Sequence, residues 1–151
     1  MLRIFIVLIA LTSLMPTAAF ALESERVRTV RIFLNNGNPE QAVRTAEKVL
    51  KNQKVTRNER LELLNLIAEA EIMRTTHKHF DNIGLAVRAI DSSLKEFPDN
   101  PQAAELRWKK AWLHWKAGDH KHAVTAAREI ISKDQQPESL RRAWLLMARI
   151  H

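Results

Sequence analysis

Apolar positions recur along this chain with helical spacing and not with the alternation of strands. Val27, Val30, Phe33 and Leu34 share one face of a helix predicted from about Glu23 to Asn35. Gly37 ends that helix, Asn38 caps the next, and Pro39 takes the first helical position, where its missing N–H costs nothing. The second helix carries Ala42, Val43, Ala46, Val49 and Leu50 as one stripe. Thr56-Arg57-Asn58-Glu59 has the spacing of a capping box and opens a third helix with Leu61, Leu64, Ile67, Ala68 and Ile72.

A polar connection over about Thr75 to Asn82 precedes a fourth helix bearing Ala86, Ile90, Leu94 and Phe97, which Pro98 stops. Asn100-Pro101 repeats the arrangement of Asn38-Pro39 and predicts the start of a fifth helix. Gly118-Asp119 divides the fifth from a sixth, and Pro137 opens a seventh. No strand run or glycine-rich loop interrupts the pattern, so the expected class is all-α. Small residues near each turn (Ala42, Ala86, Ala123) mark places where paired helices cross closely. The expected units are 23–53, 56–98, 100–134 and a terminal helix, 137–151.

Ala111, Gly118-Asp119 and Ala123, with Ala127 four residues on, resemble a tetratricopeptide repeat, as do Ala86, Ile90 and Pro98, and Gly37, Ala42 and Ala46. This resemblance implies an α-solenoid of three antiparallel helix pairs plus a terminal helix. The key alanines are 44 and then 37 residues apart, against about 34 in that family, and the extra length is expected in Thr75 to Phe80. The run Leu106 to Trp115, followed by Gly118-Asp119, is similar to the superhelical domain of soluble lytic transglycosylases. Those enzymes carry their catalytic glutamate in another domain, and nothing here matches it, so no activity is implied.

The first 21 residues change the picture of where the chain works. Arg3, the apolar run Ile4 to Leu14, Pro16 and Ala19-Phe20-Ala21 have the order of a secretory signal peptide cleaved after Ala21. The expected mature chain is one domain, 22–151, in the periplasm, touching membrane through the cleaved signal alone. Without cysteine, packing must hold the fold in that oxidising compartment. The net charge is +7, and Pro101 to His151 holds 10 basic against 5 acidic residues. Export argues against nucleic acid, leaving anionic lipid, wall polymer, an acidic protein surface or ordinary solvated lysines.

Trp108, Trp112 and Trp115 fall on one side of the fifth helix and admit two registers. In one they are core, with Arg107, Lys110 and His114 outward. In the other they form an aromatic platform flanked by Lys109 and Lys116, lining a groove that grips a protein segment. On the last helix, Leu140, Trp144, Met147 and Ile150 form the expected packing stripe. Leu145 and Leu146 widen it and are candidates for self-association or partner binding.

His77-Lys78-His79 and His120-Lys121-His122 both lie at turns, yet i and i+2 residues diverge on a helix, and no cysteine or H-x-x-x-H supports zinc. No metal, cofactor or catalytic residue is expected. The function expected is a non-enzymatic scaffold for a protein partner in the cell envelope. The alternative is a cell-wall-associated module that binds peptidoglycan or a peptidoglycan enzyme.

Overall fold

The computed structural model describes residues 24–52 and 54–150. The expected signal peptide and its cleavage site lie outside the described residues. Seven helices follow in order: α1 (Glu25–Asn35), α2 (Pro39–Asn52), α3 (Arg57–His77), α4 (Gly84–Glu96), α5 (Ala103–Lys116), α6 (His120–Lys133) and α7 (Pro137–Ile150). There is no strand among the described residues. None of these helices is long and apolar enough to cross a membrane.

Local chemistry sets the helix starts. Thr56 Oγ1 accepts from the Glu59 N–H at 3.2 Å, while Glu59 Oε2 accepts from the Thr56 N–H at 2.8 Å. That is the reciprocal box read from the sequence. Pro39 and Pro137 are the first residues of α2 and α7. The α5 start differs from expectation. Asn100 turns inward instead of capping a helix at Pro101, and α5 begins at Ala103. Its Nδ2 donates to Asn65 Oδ1 at 2.8 Å, and its Oδ1 accepts from the Gln102 N–H at 2.8 Å. Ser93 Oγ donates to the same Asn65 oxygen at 2.7 Å. All three side chains are buried, so this small network pins the α4–α5 connection to α3.

Three turns share one hydrogen-bond motif. At the end of α1, Gly37 N–H bonds Leu34 O and Asn38 N–H bonds Phe33 O; at the end of α5, Gly118 N–H bonds Trp115 O and Asp119 N–H bonds His114 O. Both glycines are left-handed, at φ +72° and +77°, as a Schellman cap requires. At the end of α3 the same pair of bonds is made by His79 to Thr76 O and Phe80 to Thr75 O. Here His79 stands where the others have glycine, at φ +52°, and Phe80 follows at +66°. The expected extra length in Thr75 to Phe80 is therefore placed differently. Most of it lengthens α3, which has 21 residues against 11 in α1 and 14 in α5.

Each helix packs on its successor, α1 also lies against α3, and α5 against α7. Among the described residues, α3 and α5 make no comparable backbone approach. Ala42, Ala86, Ala111 and Ala123 are wholly buried, as expected of small residues at crossings. One apolar cluster joins α1, α2 and α3 around Val30, Ala46 and Leu63, and another joins α5, α6 and α7 around Ala111, Ile130 and Leu146. Between them, Ala68, Ala86, Ile90, Leu106 and Leu113 form a third, centred on α4. On α3 the buried apolar face is Leu63, Leu66, Ala68 and Ala70, while Leu61, Leu64, Ile67 and Ile72 are only partly covered. Leu64 and Ile67 line a shallow groove with Leu50, Leu85 and Ala89.

Candidate functional site

The tryptophans of α5 fall into neither expected register alone. All three are half-buried. Trp108 and Trp115 pack towards α6 and α7, whereas Trp112 packs towards α4. Its ring meets Phe80 edge-on at 5.2 Å and 80°. That contact anchors the residue whose left-handed backbone completes the α3–α4 turn. Lys116 Nζ lies 5.7 Å from the Phe80 ring centre and 5.5 Å from that of Trp115. Arg142 lies over Trp108 at 5.8 Å and Arg149 over Trp115 at 6.0 Å. Trp108 and Trp115 are thus each met by cations from the protein itself, a cation–π arrangement that suits rings half in water. Lys109 is partly buried beside them and makes no ring contact of this kind among the described residues. A free aromatic platform is not what this face presents.

Arg107, expected outward in the core register, is largely covered and pairs with Asp134, whose side chain is 4% exposed. The pair ties α5 to the end of α6. Lys110 does reach outward, with Nζ 2.6 Å from Asp91 Oδ1 on α4.

The register of α7 departs from expectation. Ala143 and Leu146 are its buried residues, with Met147 and Ile150 partly covered against the same cluster. Leu146 is 2% exposed and therefore unavailable to a partner, a correction to its place among the candidate contacts. Trp144, expected to cover α6, is instead 60% exposed, and Leu145 is 48% exposed. The physical reason lies in the small residue: Ala143 lets α7 approach closely, and the neighbouring tryptophan must then point away. The repeated dipeptide carried this signal, since Ala111-Trp112 and Ala143-Trp144 both put alanine at the crossing. Trp144, Met147 and Ala148 of α7 and Arg128, Ile131 and Ser132 of α6 line an open groove of about 580 Å³. Arg128, Ile131 and Ser132 were not singled out in the sequence.

The histidines also assemble differently. His77 and His79 are exposed on the α3–α4 side. His114, which carried no signal in a triplet, meets Asp119 and His122. Its Nδ1 is 3.2 Å from Asp119 Oδ2, and His122 Nδ1 is 2.7 Å from the same oxygen. The two rings stack with centres 5.3 Å apart. The His122 ring, then its backbone N–H and the His114 ring, hold the Asp119 carboxyl below the usual range, outweighing slight burial.

Comparison with family models, curated proteins and solved structures finds no match to this chain.

Proposed function

We propose that this protein is a non-enzymatic scaffold of the periplasm that binds an apolar protein segment along the α6–α7 face. The observation that carries this reading is the adjacent exposure of Trp144 and Leu145 on a helix packed from one side. Large apolar residues left in water side by side, beside a groove, are a feature of interaction surfaces. Arg128 on the border, with the basic balance of the last third, favours a segment carrying acidic residues next to its apolar ones.

The architecture proposed with it is a tetratricopeptide-like solenoid of three antiparallel pairs plus α7. The residue pairings support this. Arg60 bonds Glu96 and Asn65 bonds Ser93, so α3 and α4 run oppositely; Trp108 meets Arg142 and Trp115 meets Arg149, so α5 and α7 run the same way. Among the described residues α7 packs on α5 and α6 alone, which leaves its other face uncovered.

The test is site-specific photocrosslinking in the envelope, with the reactive residue at 144 or 145 and at Glu96 as a polar control. Discrete protein adducts at 144 and 145, lost with Leu145→Glu, are expected. A pattern no different from that at Glu96 sinks the reading. Adducts to a second copy would make the face a dimer seam, and retention on peptidoglycan sacculi without protein adducts would favour the wall-binding alternative.

A further inference from the structure

We infer that the α5–α6 turn is a divalent metal site, taking Zn²⁺ on His114, Asp119 and His122. One donor atom of each lies within 4.8 Å of the others. Two imidazole nitrogens already converge on one carboxylate oxygen at 3.2 and 2.7 Å. Zinc bonds of about 2.0–2.1 Å in a tetrahedron put neighbouring donors roughly 3.3 Å apart. Both nitrogen-to-oxygen separations, 3.2 and 2.7 Å, stand within roughly 0.6 Å of that spacing.

The turn holds these groups in place by backbone bonds. His114 O accepts from the Asp119 N–H at 2.9 Å, and Asp119 Oδ1 accepts from the His122 N–H at 3.2 Å. The sequence form is H-x4-D-x2-H, closed by left-handed Gly118. Two imidazoles and one carboxylate are a donor set suited to zinc and its first-row neighbours. The His114 side chain is 12% exposed, against 38% for Asp119 and 62% for His122. One side of the site is therefore walled and the other open, where water or a partner's donor completes the coordination.

A second observation separates this cluster from simple capping. The turn at Gly37 makes the same backbone bonds with Phe33, Asn38 and Gln41 in the three corresponding positions. The turn therefore forms without either imidazole, and the two histidines are surplus to it. The backbone bonds of the turn require neither ring, and a shared ion gives both one role. This site stands apart from the α6–α7 face and does not rest on the function proposed for it.

The experiment is calorimetric titration of Zn²⁺ into untagged protein near pH 7.5, with Co²⁺ absorption as a second readout of the donor set. One-to-one binding is expected, weakened at least about tenfold by His122→Gln and by Asp119→Asn. Zn²⁺ should raise the melting temperature of the wild type and not of His122→Gln, whose exposed side chain can be lost without unfolding the helix. A triple control, His77→Gln/His79→Gln/His120→Gln, should bind as the wild type does. No saturable binding to the wild type overturns the site. So does binding that survives His122→Gln and Asp119→Asn but is lost in the triple control.

Discussion

Replacing His79 by glycine should make this protein more stable, although glycine is ordinarily a destabilising choice. His79 occupies the cap position that Gly37 and Gly118 fill elsewhere, at φ +52°. A side chain in that conformation costs about 1–2 kcal/mol, with histidine near the lower end because it tolerates the left-handed region better than most. Against this, glycine adds unfolded-state freedom worth about 0.4–1 kcal/mol. The His79 side chain is exposed, so its removal forfeits little packing. The net gain is about 0.5 kcal/mol, a rise in melting temperature of roughly 1–3 °C. Gly118→Ala should move the other way by a similar amount. A Cβ there meets nothing within 4 Å, so its cost is the backbone conformation at φ +77° and no clash. Urea denaturation followed by circular dichroism measures both, with an unchanged slope confirming that the folded and unfolded states are comparable. A less stable His79→Gly, or a neutral Gly118→Ala, would show that the three caps are not the same motif.

Three other outcomes can be checked with the same protein. Arg107→Ala should destabilise by about 3–5 kcal/mol, because it strands the buried Asp134 carboxylate; Arg107→Ala/Asp134→Ala should recover a large part of that loss in denaturant titration. Ala123→Leu should cost about 1–3 kcal/mol by overpacking a wholly buried crossing, and an unchanged melting temperature would refute the proposed approach of α5 and α6. Hydrogen bonds from Arg141 and Arg142 lower the Glu138 carboxyl to about 2. Since the folded value lies below the unfolded one, the contribution of this cluster is present above the ordinary glutamate range and is lost as pH falls through about 2. Carboxyl NMR titration should find that low midpoint and see it rise in Arg141→Gln/Arg142→Gln.

The helical class and most boundaries were legible because they rest on local chemistry. Thr56 and Glu59 bond each other, Pro39 begins α2, and Gly37 and Gly118 close their helices, all within a few residues of sequence. What escaped depends on groups far apart in the chain. Asn100 reads as a cap, but a buried acceptor 35 residues earlier draws its amide inward. Leu146 and Trp144 exchange places because a methyl-sized residue, not the larger apolar ones, decides how closely α7 approaches. The middle turn was legible as a polar connection over Thr75 to Asn82, but its cap was not, since a left-handed His79 leaves no mark comparable to glycine. His114 lay outside any histidine triplet, and only the folding back of α6 brings it to His122.

The missing close approach between α3 and α5 gives the protein a mechanical axis. Two three-helix bodies, α1–α3 and α5–α7, meet through α4, which packs on α3 and on α5, and through the Asn65–Ser93–Asn100 bonds. A load applied to the exposed end of α7 must therefore pass through that seam before it reaches α1. Small tilts about α4 change the relative bearing of the two ends while each body keeps its own packing.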